Sequence, residues 1–341
     1  MSPTPSIAVV GAGSWGTALA LLLSQEERPV DLWVHDPELC DIMQRTRENA
    51  YFLPDFYLPD CVRPSTDLAQ VMADKDTLLL VTPSHVVRSM ARQIKPHLSP
   101  SCLLISASKG LENESLLTVS GVLREELGDG NPLAALSGPT FAAEVARQAP
   151  SAIVAASPDA ATAKRVQDLF TTPKFRVFSS SDLLGVELGG ALKNVIAITA
   201  GISDGLNLGY NARAGLITRG LVEITRIGTA MGARPETFAG LSGLGDLVLT
   251  CTGDLSRNRK VGLHLAQGLT LEEITDNMKM VAEGILTVKS AHRLKQKLGI
   301  QASLIEETYR ILYERKSPVQ ALEDLMRIEI NQEFSGVQGL P

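Results

Sequence analysis

Ile7-Ala8-Val9-Val10-Gly11-Ala12-Gly13-Ser14-Trp15-Gly16-Thr17-Ala18-Leu19-Ala20 holds a strand, a turn and the start of a helix in one uninterrupted stretch. The apolar run Ile7–Val10 reads as a strand buried on both faces, and Thr17–Leu23 as the helix that follows it. Between them stands Gly11-x-Gly13-x-x-Gly16. At this spacing the first glycine permits a sharp turn and the second lets the backbone approach a pyrophosphate without a Cβ. The third lets the helix pack on the strand. The first helical N–H groups and the positive end of the helix dipole then face the phosphates. Three glycines alone are a weak signal. The strand before and the helix after make dinucleotide binding the reading over a structural glycine turn, with a flavin nucleotide left open.

The same alternation continues outward. Val30–Val34, Leu78–Val81 and Leu103–Ser106 read as strands, with Leu68–Ala73 and Val86–Ile94 as amphipathic segments between them. Ala134–Ser137, Ala152–Ala156 and Phe175–Phe178 extend the series, and Ala160–Phe170 is helical. Continuous apolar strands covered on both faces imply a parallel sheet flanked by helices. Tyr51–Pro64, with three prolines and four aromatics, reads as a compact ordered loop. The second strand ends at His35-Asp36, where an NAD-selective fold usually places an acid against the ribose 2′-OH. His35 holds that place. A histidine tolerates a 2′-phosphate that a carboxylate repels, so NADP stays open beside NAD; the bland alternative is a solvent-facing side chain at the strand end.

From Asp182 the pattern becomes helical: Leu183–Thr199, Ala214–Met231, Arg257–Gln267, Thr287–Leu298 and Ile305–Tyr313, with Gly232, Gly268 and Gly299 at C-terminal stops. Gly185, Gly189 and Gly190 lie within the first of these, where each costs about 1 kcal/mol relative to alanine, so something packs closely against it. The expectation is an α/β chain: a Rossmann-type dinucleotide-binding domain over residues 1–182 and an all-helical substrate-binding domain over 183–341.

Composition bounds the function. The chain has 341 residues and a formal charge of −6, with no long run of like charge, which argues against nucleic acid or an anionic membrane as partner. No uninterrupted apolar stretch reads as long enough to span a bilayer. Cys40, Cys61, Cys102 and Cys251 show no CxxC pairing and no ligand-like cluster with histidine, so no metal and no disulfide framework is expected, and the reading is a cytoplasmic, reduced protein. Against this acidic background Ser256-Arg257-Asn258-Arg259-Lys260 stands out as a local site for an anion, a solvated helix face being the alternative.

Further segments stand in combination: Ser106-Ala107-Ser108-Lys109-Gly110-Leu111, Ser137-Gly138-Pro139-Thr140-Phe141-Ala142, Gly189-Gly190-Ala191-Leu192-Lys193-Asn194, Gly243-Leu244-Gly245-Asp246-Leu247 and Ser256-Arg257-Asn258-Arg259. A lysine works as a proton acceptor or donor if its pKa falls, which burial and a neighbouring cation both achieve, so Lys193 and Lys109 are chemically suited to that work. Asp246 can orient Lys193 and accept a hydroxyl, or serve as a helix N-cap. Arg257 offers a planar fork for two phosphate oxygens, with Ser256 and Asn258 as neutral donors. His85, which follows Thr82-Pro83-Ser84 at an expected helix start, and Cys251, which follows an apolar run without a base partner in view, carry no assigned role.

Taken with the glycine loop, these segments resemble bacterial-type NAD(P)-dependent glycerol-3-phosphate dehydrogenase from Gly11 to about Tyr313. The resemblance implies hydride transfer between NADPH or NADH and dihydroxyacetone phosphate, giving sn-glycerol 3-phosphate for glycerophospholipid synthesis. It makes Lys193 the catalytic proton acceptor. It implies substrate contacts from Lys109, Gly138, Thr140, Lys193, Asp246, Ser256, Arg257 and Asn258. Coenzyme contacts are implied from Gly11, Gly13, Ser14, Trp15, Gly16, His35, Lys109, Ala142, Arg257, Val281 and Glu283. The partner is this small-molecule substrate, and a homodimer is admitted as the assembly. Two rivals stand beside this reading: a two-domain dehydrogenase of the 3-hydroxyacid type, which Ser256-Arg257-Asn258 disfavours, and a non-catalytic NAD(P)-sensing protein, for which an exposed Lys193 would speak.

Overall fold

The computed structural model describes residues 5–276, 278, 282–327 and 336–337. It divides into two compact units, one of Met1–Ser108 with Val119–Leu183 and one of Lys109–Thr118 with Leu184–Pro341. The expected domain of residues 1–182 therefore gives up an internal segment. Leu111 and Leu116 are buried in the helical core, and Ser290 Oγ donates to the Leu111 carbonyl at 3.3 Å and to Asn113 Oδ1 at 2.6 Å. An excursion this short has no periodicity of its own to announce where it packs.

The first unit is a Rossmann-like α/β fold. Its strands, in chain order, are β1 Ile7–Val10, β2 Val30–Trp33, β3 Glu48–Asn49, β4 Leu53–Tyr57, β5 Val62–Ser65, β6 Thr77–Leu80, β7 Leu103–Ser106, β8 Leu133–Ser137, β9 Ser151–Ala156 and β10 Phe175–Ser180. Eight form one sheet in the order β10-β9-β8-β7-β6-β1-β2-β5, while β3 pairs with β4. Within the eight-stranded sheet the pairs are parallel except β8 with β9, and β3 runs antiparallel to β4. The residues of β1, β6 and β7 are buried throughout, as continuous apolar runs under helices on both faces must be. Each Val, Leu or Ile so covered contributes roughly 1.5–3 kcal/mol.

The stretch read as a loop, Tyr51–Pro64, departs from expectation: it contains β4 and most of β5, and β5 closes one edge of the main sheet. Pro64 faces Leu32 of β2 in register. A proline lacks the N–H a central strand needs but fits an edge strand, and that conceals β5 from sequence reading.

The second unit is helical. Its central helix, Leu183–Gly205, has Leu188, Ala191, Leu192 and Val195–Ile198 fully buried. By length and composition it could cross a membrane, although Glu187 and Lys193 interrupt its apolar run; 94% of its most apolar window is buried in the protein, so it is a core helix. Helices Gly209–Ala230, Arg257–Ala266, Glu283–Leu298, Ser303–Tyr313 and Pro318–Met326 belong to the same unit. Gly189 meets the expectation of close packing: a Cβ there would lie 2.7 Å from the Ser242 carbonyl oxygen.

Gly189→Val accordingly destabilises the protein by about 1–3 kcal/mol, since a β-branched side chain must displace backbone rather than a flexible neighbour. Urea denaturation of the variant beside the parent measures this; an unchanged midpoint would remove the close approach from the account.

Candidate active site

In the first unit, β1 delivers the chain into the glycine turn beside β6, at the point where the strand order runs in opposite directions on either side of β1. Open α/β sheets bind ligands at such switch points. Gly11 adopts φ +119°, and a Cβ there would stand 2.6 Å from the Val81 carbonyl oxygen just beyond β6. A Cβ on Gly16 would overlap the Gly11 carbonyl at 1.8 Å, so helix and turn touch backbone to backbone. At Gly13 nothing lies within 4 Å of the Cβ position. Gly13 occupies the N-cap of helix Ser14–Leu23, which has no side-chain cap. Trp15 Nε1 and Thr82 Oγ1 are buried without a hydrogen-bond partner. A helix N-terminus without a side-chain cap, open space at the middle glycine and the buried Trp15 and Thr82 polar atoms fit a dinucleotide, whose phosphates supply acceptors.

Other expected contacts occupy the same unit. His35 is exposed beyond β2, its ring centroid 5.6 Å from that of Trp33. Asp36 caps helix Pro37–Thr46 by accepting the Glu38 N–H at 2.9 Å. Gly138 adopts φ +155° after β8, and Thr140 Oγ1 donates to its carbonyl at 3.2 Å. Ala142 starts the short helix Ala142–Ala146.

In the second unit a buried charge cluster forms around Asp246, whose side chain is 0% exposed. Lys193 Nζ donates to Asp246 Oδ1 and, at 2.9 Å, to Thr250 Oγ1. Lys109 Nζ donates to Asp246 Oδ2 at 2.7 Å. Thr250 in turn donates to the Asp246 main-chain carbonyl at 2.6 Å. A π-helical turn, Leu241–Gly245, precedes Asp246, with Gly245 N–H donating to the Gly240 carbonyl at 3.1 Å. Asp246 opens helix Asp246–Thr252 as a residue of its first turn and makes no N-cap hydrogen bond, so its carboxylate is free for the two lysines. Burial lowers the Lys193 pKa to about 7; Asp246 pulls it up and Lys109 pushes it down. Lys193 is thus the reverse of a surface cation. Cys251 beside this cluster is driven by burial to about 12 and is inert at neutral pH.

The basic stretch resolves into separate tasks. Ser256 caps helix Arg257–Ala266, its Oγ accepting the Arg259 N–H at 3.2 Å. Arg259 Nε donates to Asp204 at 2.7 Å, and Asp204 also accepts from Arg213 Nε at 2.6 Å. One of the three neighbouring cations is therefore committed within the protein. Arg257 is exposed at the first helical position; desolvation lowers its pKa and the carboxylate of Glu283 opposes that. Asn258 is buried, donates to Asn194 Oδ1 at 2.9 Å and accepts the Gly284 N–H at 2.9 Å. Lys193 and Asn194 thus serve different partners, as neighbours turned 100° apart on a helix should.

Residues 6–163 match the family model described as NAD-dependent glycerol-3-phosphate dehydrogenase N-terminus, and residues 182–323 match the corresponding C-terminus. The chain belongs to the NAD-dependent glycerol-3-phosphate dehydrogenase family. It is 54% identical over 331 residues to the glycerol-3-phosphate dehydrogenase [NAD(P)+] of Syntrophotalea carbinolica, covering 96% of this chain and 99% of that one. The namesake from Syntrophobacter fumaroxidans is 48% identical, with 98% and 99% covered. The crystal structure of glycerol-3-phosphate dehydrogenase from Coxiella burnetii superposes with a TM-score of 0.92 at 39% identity, covering 95% of this chain and 99% of that one.

For this glycerol-3-phosphate dehydrogenase family member, the structure gathers Lys109, Lys193 and Asp246 into one cluster, and brings Arg257 within electrostatic reach of Glu283. Val281 lies outside the described residues. Lys109, which the expected domain of residues 1–182 contained, belongs to the second unit with its partners. Thr250 was missed, although its spacing held the signal: it stands four residues after Asp246, on the same face of one helix.

Asp246→Asn leaves two ammonium groups without their carboxylate, and is expected to destabilise the fold by about 3–5 kcal/mol. Equilibrium unfolding at about pH 6, where lysine is protonated, reads the full effect; a loss below 1 kcal/mol would mean that the pair contributes nothing.

Proposed function

We propose that this chain is an NAD(P)-dependent sn-glycerol-3-phosphate dehydrogenase that interconverts dihydroxyacetone phosphate and sn-glycerol 3-phosphate, with Lys193 as the catalytic proton donor and acceptor. The observation that carries the proposal is the buried Lys193 held on the fully buried Asp246, with Lys109 on the other carboxylate oxygen. A lysine poised near neutrality matches the proton-transfer requirement of carbonyl reduction. Bound NADH or NADPH supplies the hydride for C2 of the ketone.

The chain's residues take the remaining parts. Lys193 Nζ gives its proton to the C2 oxygen as the ketone is reduced, and takes it back in oxidation. Asp246 holds the ammonium in place through Oδ1, and Thr250 fixes a second of its N–H directions. Arg257 binds the substrate phosphate through its guanidinium and stands close to the coenzyme. Ser256 and Asn258 keep one unused donor direction each after their internal bonds, and Gly138 and Thr140 complete the substrate contacts. Gly11, Gly13, Ser14, Trp15, Gly16, His35, Lys109, Ala142, Val281 and Glu283 hold the coenzyme. His35, exposed at the end of β2, stands where a carboxylate would repel a 2′-phosphate, which supports use of both coenzymes. The product feeds glycerophospholipid synthesis, and four unpaired thiols suit a cytoplasmic, reducing setting.

Adding dihydroxyacetone phosphate to the purified protein with NADH or NADPH should give absorbance loss with either coenzyme at comparable Michaelis constants. No loss with either points to a 3-hydroxyacid-type dehydrogenase or a coenzyme sensor, and strict NAD specificity sinks the role given to His35.

Lys193→Ala should abolish turnover while coenzyme binding stays near normal. The pH dependence has opposite signs in the two directions. Reduction needs protonated Lys193, so kcat/KM falls as pH rises through about 7; oxidation needs the neutral amine, so it rises over the same range. Matching profiles in both directions would take the proton from Lys193. Arg257→Ala should weaken substrate binding by roughly 1.5–3 kcal/mol, the worth of a charge-assisted hydrogen bond; an unaltered KM would count against the phosphate assignment.

A further inference from the structure

Asn49 is fully buried in β3, on the excursion between β2 and β5. Its Nδ2 donates to the carbonyl of Ala12 and to Thr17 Oγ1, each at 2.8 Å, while its Oδ1 accepts the Phe52 N–H at 3.1 Å. Ala12 lies inside the glycine turn, and Thr17, also fully buried, in the first turns of helix Ser14–Leu23. One carboxamide therefore ties the turn to the helix from a segment that the strand–turn–helix fingerprint does not include.

This tie has a directional consequence. No peptide bond among the described residues is cis. In a planar trans peptide the carbonyl and the following N–H point in opposite directions. Holding the Ala12 carbonyl on Asn49 turns the Gly13 N–H away from Asn49, to the opposite side of the peptide. Gly13 is the N-cap residue and has no side chain to fix this plane, and the Thr17 hydroxyl, 3.5 Å from the same carbonyl, is a poor substitute.

We propose that Asn49 is a positioning residue for the coenzyme pyrophosphate: it presets the Ala12–Gly13 peptide plane so that the loop's N–H groups already converge where the phosphates dock. The inference rests on the coenzyme reading of the glycine loop. Without Asn49 the peptide is free to rotate, and each docking event must order it, which weakens binding of NADH and NADPH alike because both present the same pyrophosphate.

Asn49→Asp separates this role from a merely structural one. The carboxylate keeps the acceptor for the Phe52 N–H but loses both donors; once protonated, the same carboxyl donates again. Coenzyme affinity is measured by fluorescence titration of NADH and NADPH into the full-length protein from about pH 5 to about pH 9, the span over which a buried carboxyl with a raised pKa titrates. Relative to the parent protein, Asn49→Asp should bind both coenzymes roughly tenfold more weakly at the alkaline end, equivalent to about 1.4 kcal/mol. Its affinity should recover as the pH falls. Asn49→Ala should be weak throughout, and the KM for dihydroxyacetone phosphate at saturating coenzyme should move in neither variant. Parental affinity in both variants would overturn the inference, as would a deficit in Asn49→Asp that ignores pH or a substrate KM that rises by the same factor. If Asn49→Ala does not fold, the pH ratio of Asn49→Asp decides alone. A parent protein that binds neither coenzyme brings down the coenzyme reading itself; a parent that binds, with variants unaffected, refutes only the role of Asn49.

Discussion

A lysine ammonium taken out of water needs a counter-charge held at a fixed place, and meeting that need for Lys193 organises the second unit. Lys193 lies on a helix whose neighbouring residues are fully buried, so its partner must come from another element. That element is the π-helical turn ending at Gly245, followed at once by Asp246. Gly189 stands four residues before Lys193, on the same helical face, and touches the turn at Ser242 and Gly243. The absence of a side chain at Gly189 lets the turn approach, and the approach brings Asp246 under the lysine one helical turn later. Packing and electrostatics are here one arrangement. A larger residue at Gly189 would separate the charges before it touched any reacting group.

The parts of this arrangement that were legible from sequence are those with a local signature. β1 and the following helix were legible because strand, turn and helix are contiguous, and the buried strands β6 and β7 because continuous apolar runs have few other uses. Lys193, Asp246 and Lys109 were named from motif likeness and chemistry, yet that one carboxylate serves both lysines could not be read, since the partners are 53 and 137 residues from Asp246 along the chain. β5 escaped because a proline in a strand is informative only once the strand is known to lie at an edge. The placement of residues 109–118 escaped for a related reason: Leu111 and Leu116 are too few to reveal which core they enter.

Side chains that orient backbone groups are the least legible class, and this protein uses them in both units. Asn49 holds the Ala12 carbonyl, and Asn258 holds the Gly284 N–H while bonding Asn194. Asparagine suits such places because its amide carries a donor and an acceptor on one short rigid group, so it satisfies two partners at once in a site too tight for water. At Gly284 the fit is close enough that a Cβ would stand 2.5 Å from Asn258 Oδ1. The sequence shows an ordinary polar residue in each case, with nothing nearby to suggest its partner.

The composition of the buried cluster explains why Lys193 in particular becomes labile. One carboxylate faces two ammonium groups, so the fully protonated cluster carries an excess positive charge in a place that disfavours any net charge. Releasing a single proton makes the cluster neutral, and the lysine that gains most by releasing it is the one with less access to water. Lys193 side-chain exposure is 7% against 17% for Lys109. Asp246 opposes the release by attracting the charged form, which keeps the pKa from falling further, while Lys109 assists it by repulsion. Desolvation is the largest cause of the fall, Asp246 opposes it and Lys109 adds to it, so burial and the second lysine together turn a structural ion pair into a group that exchanges a proton near neutrality.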